Sequence, residues 1–289
     1  MTASPRRVAV TGLGVASPAG CDVESFWSTI LAGRSTAAPI TAFDAADHPA
    51  RYACEALDFD PTRHLGPKEA RRTDRVAQMG LAAALDAWSA AGSPALDPAR
   101  CGVVAGTGIG GLTTLEEQVR VAVDRGPDRV SPFLVPMMMA NATPALVGLE
   151  LGWTGPNLSV TTACAAGANA IGEASRLIRH GEADVLLAGG TEASITPTAT
   201  AAFARMGALS SNPDPSGASR PFDVDRDGFV MGEGAAFLVL EDLERAQARG
   251  ATVLGELIGY GRTSDAHHIT APAPGGAGAV ACMQAALDD

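Results

Sequence analysis

Residues 158–190 constrain this chain more than any other stretch of it. An apolar run, 158–163, gives way at Cys164 to a helical segment of small residues, 165–180. Gly181 then supplies a left-handed stop, and a second apolar run, 183–190, follows. Runs such as Val185-Leu186-Leu187-Ala188 are apolar on both faces, as strands of a covered sheet must be. The intervening helix carries Gly167 and Gly172, which lower its intrinsic stability. A surface helix has no use for so many small side chains. A helix buried between two sheets does, because flat layers can then close on it. The expected body is therefore a layered α/β structure with this helix inside.

The remainder of the chain repeats the alternation. Strands are expected at 7–11, 102–106, 235–241 and 254–261, and helices at 24–32, 68–91, 112–124, 141–151, 198–205 and 242–249. With 46% hydrophobic residues the chain can build a real core, and with only 4% aromatics and 33 glycines that core is Ala, Val, Leu and Gly in close backbone contact. Residues 210–222, rich in Ser, Pro, Asn and Asp, form a surface loop.

Cys164 lies between a strand and a helix start. First-turn amides lack intrahelical partners there, and the positive dipole end favours the thiolate, the nucleophilic form. A free cysteine is more commonly an inert core residue, and the strand–Cys–helix setting argues against that here. The five cysteines, Cys21, Cys54, Cys101, Cys164 and Cys282, are odd in number and widely spaced. They form neither a disulfide framework nor a CxxC metal pattern, which fits a reducing cytoplasmic compartment. A net charge of −11 argues against nucleic acid as a partner. No apolar stretch is long enough to span a bilayer. The opening Val8-Ala9-Val10-Thr11-Gly12 is too short and too soon interrupted for a signal peptide, and reads as a first core strand.

Two motifs suggest ligands and fall short. Gly106-Thr107-Gly108-Ile109-Gly110-Gly111 matches the GxGxxG dinucleotide pattern, but Asp124 and Asp128 lie in an Arg-rich turn, not at the strand end the pattern requires. A tight turn against neighbouring backbone is the plainer reading. Asp223-Val224-Asp225-Arg226-Asp227-Gly228 begins like an EF-hand loop, yet the twelfth position is Gly234 and Pro221 spoils the entering helix. A turn held by Asx hydrogen bonds is expected, with no metal.

Taken together, Thr161-Thr162-Ala163-Cys164-Ala165-Ala166-Gly167, the Gly106–Gly111 motif, Gly189-Gly190-Thr191-Glu192-Ala193, Ser219-Arg220-Pro221-Phe222-Asp223, the segment 226–234 and Thr263-Ser264-Asp265-Ala266-His267-His268-Ile269-Thr270 resemble the β-ketoacyl-[acyl carrier protein] synthase family, elongating type, of fatty acid and type II polyketide synthesis. The resemblance implies the thiolase-like fold, layered αβαβα, with residues 1–253 as an N-terminal half carrying the cysteine and 254–289 as the first strand and helix of a second half mostly absent from this chain. It implies decarboxylative condensation of acyl and malonyl thioesters through acyl-Cys164, whose own N–H helps stabilise the oxyanion. It assigns Ala163, Ile109 and Phe203 to the acyl pocket, and His268 and Thr270 to the channel for a phosphopantetheine that arrives on the carrier protein, with no resident cofactor. It assigns Lys68, Arg71, Arg72 and Arg75, read as one helix face, to docking of an acidic acyl carrier protein. Gly207 stands where some relatives have a further arginine. A homodimer or ketosynthase heterodimer, joined near residues 158–162, is the family habit.

The resemblance also leaves a gap. The family draws two histidines and a lysine from its second half, and His48, His64, His180, His267 and His268 match none of those motifs. The alanine-rich segment 276–289 ends on Asp288 and Asp289, charges that a helix C-terminus disfavours. The chain is therefore expected to be part of a longer one and not to condense alone. A non-catalytic partner subunit of the chain-length-factor kind, or a thiolase-type coenzyme A acyltransferase, stays open at this point.

Overall fold

Adjacent residues of the central strands turn to different cores. The computed structural model, which describes residues 5–289, contains strands β1 (Val8–Ala16), β2 (Ala38–Pro39), β3 (Tyr52–Ala53), β4 (Cys101–Gly106), β5 (Asn157–Val160), β6 (Val185–Glu192), β7 (Gly234–Asp242) and β8 (Gly255–Glu256). The helices are α1 (Val23–Leu31), α2 (Pro67–Ala70), α3 (Arg75–Ala90), α4 (Leu112–Arg125), α5 (Leu134–Met138), α6 (Ala142–Leu151), α7 (Ala166–Arg179), α8 (Pro197–Arg205), α9 (Leu243–Ala248) and α10 (Ala277–Asp288). The main sheet runs β5-β4-β6-β7-β1-β8, with β2 and β3 paired apart from it. β5, β4 and β6 are parallel, while β7, β1 and β8 each run antiparallel to the preceding strand in that order.

On one face Val103, Val185, Leu187, Phe237 and Val239 pack with Val76, Met79 and Leu81 of α3 and Val147 of α6. On the other, Val104, Leu186, Ala188 and Leu240 pack with Ala170, Ala174 and Ile178 of α7. A fully buried aliphatic chain of this kind contributes about 1.5–3 kcal/mol, so the two cores dominate the stability. β1 and α3 touch backbone to backbone: a Cβ built on Gly14 would lie 2.0 Å from the Ala83 carbonyl oxygen. This mixed α/β body, a sheet covered by helices, is what the alternation implied. α7 is packed on the sheet by one side, and at Gly172 its other side meets the ring of Tyr260, where a Cβ would fall 2.3 Å from ring carbons. Among the described residues no helix is long and apolar enough to cross a membrane.

Three elements differ from expectation for identifiable reasons. The single helix at 68–91 is two helices. Thr73 Oγ donates back to the Glu69 carbonyl at 3.1 Å, and the Asp74 carboxylate caps a new helix by accepting from Val76 N at 3.0 Å. The strand expected at 254–261 shortens to β8, because Gly259 and Gly261 instead lie against α10, each with its Cβ direction 2.0 Å from a carbonyl oxygen. β8 pairs with β1, so the segment expected to open a second half is joined to the first sheet. The acid at the end of α10 is compensated: Asp289 pairs with Arg179 at 2.5 Å, and that hydrogen bond holds its carboxyl below the usual range.

At the amino ends of the parallel strands, the buried carboxylate of Asp184 accepts from Arg6 at 2.8 Å and Arg100 at 2.8 Å and is ion-paired with Arg245 at 3.2 Å. Hydrogen bonding from Arg100 foremost holds its carboxyl below the ordinary carboxylate range. One acid thus ties together the segment before β1, the turn before β4 and helix α9.

Two outcomes are expected. Gly14→Ala destabilises the fold by about 1–3 kcal/mol in urea unfolding through overpacking, whereas Gly255→Ala, with nothing within 4 Å of its Cβ direction, changes little. Asp184→Asn costs about 2 kcal/mol at neutral pH, below the usual figure for a broken buried pair because the three arginines are partly solvated. A carboxyl depressed by folding stabilises above its unfolded value, near 3.9, and that contribution disappears as pH falls through the folded value. The difference between wild type and Asp184→Asn therefore shrinks below about pH 4. A gap that stays constant with pH would contradict the ion cluster's role.

Candidate active site

Because β4, β5 and β6 are parallel, their carboxyl ends share one edge, the usual ligand edge of such sheets. Gly106 is level with Val160 on one side and Gly190 on the other. The first turn of α7 lies directly across this edge. A Cβ on Gly106 would fall 2.2 Å from the Ala166 carbonyl, and one on Gly190 would fall 2.8 Å from the Gly167 Cα. Glycine at these positions is what lets the helix start rest on the strand ends. Gly167 thus trades helix propensity for contact.

The chain leaves β5 at Val160 and reverses at Ala163, whose φ of +51° is left-handed, a conformation costing an alanine roughly 1–2 kcal/mol. A 3-10 turn, Ala163–Ala165, carries Cys164 into α7. The helix has Ala165 at its N-cap and no side-chain cap, so no capping side chain competes for its first-turn amides. Cys164 is exposed, and the other four cysteines are not. Burial pushes the Cys101 thiol up to about 11 and also raises Cys21. Cys282 donates to the Gly261 carbonyl at 3.3 Å. Cys164 alone among the five thiols combines exposure with a place at a helix start.

The Gly106–Gly111 loop sits beside this turn, with the Cβ direction of Gly108 3.6 Å from Ala163. Its amides are not free for phosphate. Glu192, at the end of β6, accepts from Gly108 N at 2.7 Å and Ile109 N at 3.2 Å. The dinucleotide-like motif therefore holds an internal carboxylate. The EF-hand-like run is likewise occupied: Asp223 accepts from Asp225 N at 2.7 Å as an Asx turn, and Asp227 accepts from Ser210, Ser211 and Arg220. Those bonds, chiefly from Ser210, hold the Asp227 carboxyl far below its usual range.

A cavity of about 650 Å³ opens beside the cysteine, its wall including Thr162, Ala165, Asn169, Tyr260, Arg262 and Ser264. Thr162 donates to Asn169 Oδ1 at 2.6 Å and Asn169 Nδ2 donates to the Tyr260 hydroxyl at 2.8 Å, a chain that fixes its floor. A separate cleft of about 350 Å³ contains the Arg75–Glu233 pair and no cysteine.

Ala163, Cys164 and the loop bearing the half-exposed Ile109 are brought together. Phe203 is in a neighbouring apolar cluster with Leu112 and Leu209, edge-on to Phe229 at 5.5 Å between ring centroids. His268 and Thr270 are exposed on the loop after β8, bonded to each other through Thr270 N and His268 Nδ1 at 3.1 Å. The basic quartet is divided. Lys68 and Arg71 are exposed around the α2–α3 break, and Arg72 covers the Phe133 ring at 4.5 Å. Arg75 forms a two-pronged pair with Glu233 and also donates to the Ala56 carbonyl, so its charge is already committed.

Glu192, Asn169 and Tyr260 were not foreseen. Glu192 follows an apolar run as any strand-ending acid might, and its role emerges only from the parallel register that sets β6 beside β4. Asn169, one turn into a helix of alanines, was a visible anomaly in composition.

The chain matches the family described as beta-ketoacyl synthase, N-terminal domain, over residues 5–246. It is 50% identical over 287 residues to 3-oxoacyl-[acyl-carrier-protein] synthase 2 of Synechocystis sp., covering 98% of this chain and 69% of that protein. It is 47% identical over 286 residues to the protein of the same name from Staphylococcus aureus, with the same shares covered. Among solved structures it resembles the ishigamide ketosynthase/chain length factor, at 38% identity and a TM-score of 0.87 over 98% of this chain and 70% of that one. It also resembles a beta-ketoacyl synthase from Burkholderia phymatum, at 32% identity and a TM-score of 0.89, with 98% of this chain and 70% of that one covered. Cys164 falls well inside the matched residues, and the chain belongs to the β-ketoacyl synthase family.

Proposed function

We propose that this chain carries the acyl-transfer centre of a 3-oxoacyl-[acyl carrier protein] synthase, with Cys164 as nucleophile. The exposed thiol at an uncapped helix start, on the carboxyl edge of three parallel strands, carries this reading. The sulfur attacks the carbonyl of an acyl thioester, the tetrahedral oxyanion collapses, and the carrier thiol departs with a proton, leaving acyl-Cys164. A malonyl thioester then loses CO2; its carbanion attacks the acyl-Cys164 carbonyl and expels the cysteine sulfur, giving the 3-oxoacyl thioester. Two of this chain's histidines are engaged in other contacts: His48 packs on Phe43, and His64 bonds Asp86. His180 closes the far end of α7. The chain therefore brings the nucleophile of the first step, and none of these three histidines stands beside it to serve the condensation.

Lys68, Arg71 and Arg72 form the carrier-docking surface, with Arg75 supporting it from below through Glu233. On a chain of net charge −11, attraction to an acidic carrier has to be local. Ile109 belongs to the acyl pocket, Phe203 backs it, and the loop of His268 and Thr270 belongs to the pantetheine entrance. β5 is the edge along which a second subunit adds, as homodimer or ketosynthase heterodimer. Five unpaired cysteines support a reducing, cytoplasmic setting. The structural likeness to a ketosynthase/chain length factor keeps a partner-subunit reading in view; the accessible Cys164 favours the catalytic one.

Incubation with an acyl-carrier-protein thioester is expected to add one acyl mass at Cys164, abolished by Cys164→Ala and retained by Cys101→Ala. An adduct mapped elsewhere defeats the assignment. Charge reversal at Lys68 and Arg71 is expected to raise KM for the carrier-protein thioester roughly ten-fold while leaving the coenzyme A thioester unaffected. An equal loss on both substrates would remove the docking role.

A further inference from the structure

We propose that Glu192 is a positioning residue that sets which acyl chains the site accepts, by clamping the loop that carries Ile109. This rests on the reading of Cys164 as the acylated nucleophile and of Ile109 as a pocket residue. Four polar donors lie within reach of the Glu192 carboxylate, three from the loop between β4 and α4 and one from Ser194, just after β6. Gly108 N and Ile109 N reach one oxygen at 2.7 and 3.2 Å, and the Thr107 and Ser194 hydroxyls reach the other at 3.3 and 3.0 Å. The Thr107 hydroxyl also accepts from Gly110 N at 3.1 Å, so the loop is tied to the same anchor along its length.

The anchor is itself rigid. Glu192 ends β6, two residues beyond Gly190, which is level with Gly106 at the root of the loop. Gly108 rests against Ala163, so the clamped loop lies directly beside the turn that presents the sulfur. The two chemical alternatives for this acid are weaker. With both oxygens engaged by four donors it has no free lone pair directed at the cavity, which disfavours a general base. Among the described residues no group of three or more His, Cys, Asp or Glu is placed to hold a metal with it. What the bonds do accomplish is to fix the backbone on both sides of the Ile109 Cα. A side chain so held excludes acyl chains by shape, and one freed from the clamp yields to them.

The test is the rate of Cys164 acylation in the purified protein, measured with straight-chain acyl thioesters from short to long. Glu192→Ala is expected to change the long-to-short preference about ten-fold, the worth of roughly a methylene in an apolar pocket. Ile109→Ala is expected to change it similarly, and the double variant to add nothing further. Glu192→Gln restores the wild-type profile, because its carbonyl oxygen can take both amides while its NH2 donates to the two hydroxyls. Glu192→Asp, which withdraws the carboxylate by one methylene, behaves like the alanine variant and serves if that variant does not fold. The rate of Cys164 alkylation by iodoacetamide stays within about two-fold throughout, as it would not if the turn had collapsed. Equal slowing of all chain lengths, or effects that multiply with Ile109→Ala, overturns the proposal. An unaltered profile in Ile109→Ala overturns it together with the pocket assignment. A profile changed by Ile109→Ala but not by Glu192→Ala overturns the clamp alone, and absence of acyl-Cys164 in wild type removes the functional reading beneath it.

Discussion

The contact on which this structure turns is that between the first turn of α7 and the strand ends beneath it. Gly106, Gly167 and Gly190 remove the side chains that would hold helix and sheet apart. With side chains at these positions the helix would be held off the strands, and the first-turn amides would then stand clear of the carboxyl edge. Here they are brought down to it. The left-handed Ala163 completes the arrangement by turning the chain sharply enough to lift the next residue into solvent. Strain in the turn is held in place by burial on both sides of the sheet.

Much of this could be read from the residues before any fold was known. The apolar runs at 158–163 and 183–190 named two parallel parts of the sheet, the strands on either side of β4, and the small-residue helix between them announced a close approach. The physics there is local, since propensity, periodicity and a C-terminal glycine all point the same way. The less legible features depend on register. Nothing near Glu192 in the chain says that it will stand beside Gly108, because the two are brought together only by the parallel pairing of β4 and β6. The split of the expected helix at 68–91 was legible in principle, since Asp74 is a good N-cap, but the apolar periodicity of α3 extends plausibly backward over Arg71–Arg72 and masked it.

Charge is organised in two ways. Three acids with buried carboxylates are committed to specific cations: Asp184 to its arginines, Glu233 to Arg75, and Glu241 to Arg249. Such pairs add little net stability against an apolar core but punish any other arrangement of the segments they join. The basic side chains left exposed near α2 are thereby few and concentrated. Arg75 looked like one of them by spacing, and its pairing with Glu233 shows how spacing alone overcounts a surface.

β5 is four residues long, pairs on one side only, and leads within four residues to the sulfur. Its outer row of backbone groups is a template for another strand. Any chain that occupied that row would grip the same short ribbon of peptide that presents Cys164, so strand addition at this edge and the placing of the thiol would share a lever only a few bonds long.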